Sequence, residues 1–322
     1  MNCSATPWRR SRSVSRARRA EVDLAFNSEQ QRLADAARHA FSSGGPAPLV
    51  EGALVDLAIV GRELGRAAGD HSFHAEVLAR LLGWCGTEPV AVGLGASDGV
   101  ADFVGCAARA TTFLLETSPA EVLVLASGDV ELVPQPTLVD DDCCRVMFSP
   151  APAADILAVD VAGAVARAAI VLAADAVGAA EAALAAAVDH VASRQQWGAP
   201  LGALQVVRHR CADMLLDVTV ARDAVFDAAG VADRGADEDQ VRLSAAFAMA
   251  TAVERCRRVT AAAHQLAGGQ GIDAAAPFHR WYRRVKCAES ALGDARSHRE
   301  HIAASLLDGD TAMTTASGCN RT

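Results

Sequence analysis

The sequence predicts a mainly α protein: N-terminal helices, then a small reduced β domain, then a C-terminal four-helix bundle. Three patterns carry that expectation. Beyond residue 160 the chain is a series of long alanine-rich stretches separated by short joints holding Gly and Pro. Between 88 and 160 the apolar runs become short and are punctuated by Gly, Pro and Asp. Ahead of both, a helix-start signature precedes apolar residues at helical spacing.

Residues 1–20 carry Arg9, Arg10, Arg12, Arg16, Arg18 and Arg19 and no acid. Transit peptides and disordered arms share that composition. The reading adopted is an extension ahead of a true start at Val22, which leaves 1–21 spurious or disordered. Ser28-Glu29-Gln30-Gln31 fits a capping box with Ser28 at the N-cap, and Leu33, Ala36, Ala37 and Ala40 then extend a helix to about 41. Ser42-Ser43-Gly44-Gly45-Pro46 ends it. A second helix is expected at 49–68, containing Arg62-Glu63-Leu64-Gly65-Arg66, and a third at 71–82, so the first helical domain spans 22–87.

The β domain, 88–160, is expected to hold strands at 111–115, 121–126, 131–133 and 145–148. Gly93-Leu94-Gly95 with Gly99 has the glycine density of a phosphate loop, but no βαβ context follows and the stretch reads as turns. The bundle, 161–310, is expected as helices at 165–193, 204–229, 238–266 and 275–307, with Gly198 and Pro200 stopping the first. Residues 311–322 read as a disordered tail.

Bulk properties exclude several classes. A net charge of −9 and a pI near 5.5 argue against a phosphate-backbone binder, so no nucleic acid partner is expected. The nine cysteines include no CxxC pair, and only Cys143-Cys144 are adjacent, which suits neither a zinc site nor a disulfide scaffold and reads as a reducing cytoplasm. The apolar stretch 161–188 is interrupted by Arg167, Asp175 and Glu181, each costly at the centre of a bilayer, so it reads as a packed helix rather than a membrane span.

Two motifs then fall in register. Arg194-Gln195-Gln196-Trp197-Gly198-Ala199-Pro200-Leu201, followed by Gln205 and Ala212-Asp213-Met214, and later His264-Gln265-Leu266-Ala267-Gly268-Gly269-Gln270-Gly271-Ile272, sit at successive helix ends. Together they resemble the signatures of the acyl-CoA dehydrogenase family, with Trp197 where a Phe is usual. The resemblance is good from 162 to 307 and thinner over 23–79. In the β part only Phe103-Val104-Gly105-Cys106-Ala107 and the strands after it fit. Arg194 alone could simply complement a helix dipole, and Gly268 alone could be a glycine C-cap. The resemblance implies more: Arg194, Trp197, Gln205, Gln265, Gly268 and Gly269 would hold the ADP half of an FAD whose flavin lies in a neighbouring subunit.

The family's chemistry needs a carboxylate to take a proton alpha to a thioester carbonyl while hydride passes to the flavin. Of the two positions known to supply it, one falls on Leu292 within Ala291-Leu292-Gly293-Asp294 and the other on Ala168. Neither side chain accepts a proton, so no catalytic residue is assigned. Glu289 and Asp294 flank the first position, but helix geometry points them elsewhere. The reduced β domain and the ending Leu292-Gly293-Asp294-Ala295-Arg296-Ser297-His298-Arg299 resemble the short, degenerate subunits of heteromeric actinobacterial dehydrogenases of sterol side-chain breakdown.

The expected function is therefore a non-catalytic subunit of an FAD-dependent acyl-CoA dehydrogenase in a cytoplasmic heterotetramer. It would complete the FAD site of a catalytic homologue, which meets the acyl-CoA and an electron-transfer acceptor. Two alternatives stay open: a self-sufficient dehydrogenase or flavin oxidase with a shifted base, and a flavin-free scaffold of the same fold.

Overall fold

The computed structural model describes residues 26–43, 52–137, 142–149 and 155–307. The predicted extension at 1–21 and tail at 311–322 lie outside them. Among the described residues three helices come first, α1 (Ser28–Ser42), α2 (Leu54–Ala67) and α3 (Ser72–Leu81). The cap of α1 sits one residue earlier than expected. Asn27, not Ser28, accepts from the Glu29 and Gln30 amides at 2.9 Å each, and the Gln30 side chain accepts from the Asn27 amide at 3.1 Å. Asn caps as well as Ser, and both Asn27 and Ser28 have a Gln three residues on, so the motif fits either register and the helix adopts the one that starts at Asn27. Helix α2 starts at Leu54; the predicted start at 49 falls in 44–51, outside the described residues.

Among the described residues seven strands follow: β1 (Val90–Gly93), β2 (Val100–Val104), β3 (Thr112–Ser118), β4 (Glu121–Ala126), β5 (Val130–Pro134), β6 (Cys144–Phe148) and β7 (Asp155–Ala158). They form a four-stranded sheet, β1-β3-β4-β7, and a three-stranded sheet, β2-β6-β5. Only β1 and β3 pair in parallel within the two sheets. The sequence reading missed β1, β2 and β7. The glycines at 93 and 95 end β1 in a turn, as the turn reading required, with Gly95 at φ +66°.

The bundle is built on α4 (Val161–Ser193), capped by Asp160, whose side chain accepts from the Gly163 amide at 3.1 Å. A hairpin of β8 (Gln195–Gln196) and β9 (Ala199–Pro200) leads to α5 (Gln205–Asp233), then α6 (Glu238–Ala267) and the single turn α7 (Gly269–Ile272). The predicted fourth helix is two helices, α8 (Phe278–Ala291) and α9 (Ala295–Leu307). Gly293, at φ +98°, breaks the run, and Asp294 starts the next helix by accepting from the Ser297 amide at 2.7 Å.

Helix α4 is long and apolar enough to cross a bilayer by composition alone, with a mean hydropathy of 1.7 over its richest stretch, but 83% of that stretch is buried inside the fold. One apolar core runs from α1, α2 and α3 through α4, α5, α6 and α8. Two glycines let α2 and α4 touch backbone to backbone. A Cβ on Gly65 would lie 1.9 Å from the Asp175 carbonyl oxygen, and one on Gly178 would lie 1.8 Å from that of Arg62. At the N-terminus of α2, where no local side chain caps, Asp233 at the end of α5 accepts from the Leu54 and Val55 amides at 2.6 and 2.9 Å.

Candidate functional site

The six residues expected to meet a cofactor all lie at one end of the bundle. Arg167 pairs with Glu238 at 2.7 Å and Arg242 with Asp160 at 2.6 Å, so the N-termini of α4 and α6 are neighbours and the two helices run parallel. As many residues separate Arg167 from Arg194 as separate Glu238 from Gln265. At 1.5 Å per residue both ends lie about 40 Å along the bundle. Helix α5 begins at this end with Gln205.

Local geometry shapes each half of that end. Arg194 is the C-cap of α4, its amide donating to His190 at 2.8 Å and its carbonyl accepting from Leu201 at 2.9 Å. Between these, Trp197 and Gly198 occupy the two loop positions of the β8–β9 hairpin, with φ of +51° and +80°. Tight hairpins require positive φ at such positions. Gly198 meets the requirement freely, whereas Trp197 adopts it against the preference of a bulky residue, with its ring 84% exposed. Across the end, Gly268 closes α6 at φ +58°, ψ −131°, a conformation open in practice to glycine alone, and its amide donates to His264 and Gln265. Cβ atoms built on Gly268 and Gly269 meet nothing within 4 Å.

Arg194, Trp197, Gln205, Gln265, Gly268 and Gly269 are all exposed. Among the described residues no side-chain hydrogen bond joins any two of them. The end therefore offers an open surface with a guanidinium, two amide side chains, an indole and an unobstructed glycine backbone. Those groups fit an anionic diphosphate attached to a flat ring. Apolar surface continues from it, because Val206, Leu215 and Leu216 on α5 and Ile272 on α7 are also exposed.

The second candidate position is the one where a base was sought. Leu292 is the C-cap of α8, and Ala168 lies on α4 at 5% exposure. Ala168 belongs to a buried apolar cluster with Leu78, Leu82, Val90, Leu114 and Val122, and the partly buried Leu292, far away in sequence, packs against that cluster. The flanking acids are engaged elsewhere. Glu289 takes an ion pair from Lys286 and lies 3.8 Å from Arg257, while Asp294 caps α9, and the Ser297 amide holds its carboxyl below the usual range.

Sequence reasoning missed a buried ionic cluster. Arg284 of α8 donates through Nε and Nη2 to the two oxygens of Asp175 on α4, both at 2.5 Å, and through Nη1 to the Gly69 carbonyl. His74 Nε2 lies 2.7 Å from Asp175 Oδ2. Asp175 was legible only as an acid inside an apolar run, and its partners are distant in sequence. Among the described residues no group of His, Cys, Asp and Glu suits a metal ion.

Comparison with known proteins decides the family. The acyl-CoA dehydrogenase C-terminal domain matches residues 160–307. Acyl-CoA dehydrogenase IpdE2 of Mycobacterium tuberculosis is 31% identical over 251 residues, 76% of this chain and 76% of its own. The chain belongs to the acyl-CoA dehydrogenase family. Within it, IpdE2 of Mycolicibacterium smegmatis is 29% identical over 266 residues, covering 80% of each chain. Among solved structures, the ChsE4-ChsE5 complex of Mycobacterium tuberculosis shares the fold with a TM-score of 0.76 at 19% identity, covering 90% of this chain and 100% of that one. Membership places the protein among oxidoreductases that act on CH–CH bonds.

Proposed function

We propose that this chain is a non-catalytic subunit of an FAD-dependent acyl-CoA dehydrogenase, paired with a longer homologue that carries the carboxylate base. The observation that carries the reading is that Ala168 is buried in an apolar cluster and Leu292 packs against the same cluster. At both places from which the family draws a base this chain has an aliphatic side chain, set against hydrocarbon neighbours. A proton cannot leave a thioester at such a place.

The open end of the bundle supplies the complementary half of the argument. Arg194 would pair with the FAD diphosphate, Gln205 and Gln265 would hydrogen-bond to it or to its ribose, Trp197 would lie against the adenine, and Gly268 and Gly269 would let backbone amides approach. When bound, FAD supplies the acceptor for the substrate hydride. This chain's own part is to hold and shield the cofactor while the partner takes the alpha proton. The exposed apolar residues on α5 and α7 would be covered by that partner in a cytoplasmic heterotetramer. The acyl-CoA would be bulky, of the sterol side-chain type, and electrons would leave to an electron-transfer protein. The division 22–87, 88–160 and 161–310 is retained as the domain scheme.

Expression decides between this reading and its alternatives. The chain alone should be colourless or insoluble, and co-expression with the longer homologue should give a yellow heterotetramer active on acyl-CoA. A stable, flavin-loaded homodimer that turns over an acyl-CoA overturns the proposal, and an active complex whose flavin content ignores this chain would make the chain a scaffold.

A further inference from the structure

Helix α9 has no fully buried residue, yet it lies along α6. Its attachment is built from a few polar groups. Arg299 forms an ion pair with Glu254 of α6 at the surface, and the Asp294 cap fixes the first turn. Inside the contact, His298 and His301 each bury Nε2 with no hydrogen-bond partner among the described residues, and the Nε of Arg242 on α6 is buried in the same state. A buried imidazole nitrogen without a partner is tolerable while the ring is neutral, because one nitrogen of a neutral ring needs no proton. Adding a proton there buries a charge.

Charged groups of both signs lie on the elements around the pair. From α6 come Arg242, Asp239, Glu254 and Arg258; from the turn before α9, Asp294; from α9 itself, Arg296, Arg299 and Glu300; and at the start of α4, Asp160 occupies Arg242. Burial is the leading influence on both rings and pushes both below the ordinary imidazole range. His301 adds to that effect at His298, and Arg242 adds to it at His301. At His298 the Gly293 backbone carbonyl opposes it first, then Asp294 and the Leu292 carbonyl, and Asp239 opposes it at His301, but burial prevails at both rings. The imidazole of His298 also lies beneath the turn that carries Leu292: a Cβ on Gly293 would sit 3.3 Å from its Nε2.

We propose that α9 is a latch released by acid: neutral His298 and His301 seat it on α6, and protonation of these two rings lifts it. Docked imidazoles that resist protonation make the undocked state the better proton binder, so docking is complete above about pH 6.5, the ordinary imidazole value, and weakens as pH falls below it. Release bares the flank of α6 and frees the Leu292–Gly293 turn above the cluster that contains Ala168.

Hydrogen exchange on the purified full chain or its complex, at pH 7.5 and 5.5 with intrinsic rates corrected, tests the latch. One pH unit below the ordinary value each held imidazole favours release by at most about tenfold. The amides of α9 should therefore lose protection relative to those of α4, by up to about 100-fold for the two rings together. In the His298→Gln/His301→Gln double variant that pH dependence should vanish. An unchanged ratio of α9 to α4 protection in the wild-type chain, or the same fall in the double variant, overturns the proposal. Should the double variant undock α9 at both pH values, NMR titration of the wild-type imidazoles decides: midpoints below about 6.5 sustain the latch, and midpoints at or above it overturn it.

Discussion

Asp175 and Arg284 meet in a two-pronged ion pair at 2.5 Å from helices α4 and α8, with the aspartate 1% and the arginine 4% exposed. Burial raises the cost of the carboxylate charge, but the Arg284 guanidinium and the His74 ring beside it hold the carboxyl well below the usual range. Removing one partner leaves the other charged and dry. Asp175→Ala should cost about 3–5 kcal/mol of unfolding free energy, read by urea titration. Because the folded pKa is depressed, the pair's contribution is complete above the unfolded value near 4 and fades as pH falls below it. A loss under 1 kcal/mol at pH 7 would show that the pair is not a determinant of stability.

The crossing of α2 and α4 has no room for a methyl group. Gly65→Ala and Gly178→Ala each set a Cβ within 2 Å of a carbonyl oxygen on the other helix, so the helices must part. Overpacking of this kind typically costs about 1–3 kcal/mol, and backbone contact places these two at the upper end. A melting temperature within a degree of wild type in either variant would contradict the close crossing.

Restoring a carboxylate by Leu292→Glu should not create activity. The new side chain would enter an apolar cluster, where burial favours the protonated acid and lowers stability. A base without an oriented, fitted pocket contributes little. Dye-coupled dehydrogenation by the single variant without a partner chain would show that the pocket is intact after all.

Arg194→Ala should weaken FAD retention in the complex by roughly 10- to 100-fold, since a hydrogen bond to a charged group is worth about 1.5–3 kcal/mol. Arg194→Lys should recover part of it, keeping the charge and losing the fork. Flavin absorbance and thermal unfolding on the same samples separate this from a helix-capping role. A capping role would lower the melting temperature and leave flavin content per folded complex unchanged.

Much of this architecture was legible because helices announce themselves by period. Strand β4 and the starts of α5 and α6 fall within a residue of their expected places, and the alanine content of α4 made its length plain. What escaped was set by neighbours. Strands β1 and β7 are four residues long and are defined by the ladders they join, β1 to β3 and β7 to β4, which no local pattern encodes. Gly293 looked tolerable inside a helix until its positive φ and the Asp294 cap showed a break. At the site, spacing alone brought Arg194 and Gln265 to one end of the bundle. The convergence of Leu292 with Ala168, and of Asp175 with Arg284 and His74, depends on how α3, α4 and α8 pack.

The cap that Asp233 places on α2 reaches across most of the chain. A scissile bond engineered after Asp160 would leave two polypeptides of plausible domain size, but the first would enter its second helix with two bare amides and the second would present a groove shaped for that missing helix. Reassociation of the two fragments, rather than independent folding of either, is the behaviour such a split chain should show, and the carboxylate of Asp233 is the grip by which one fragment would find the other.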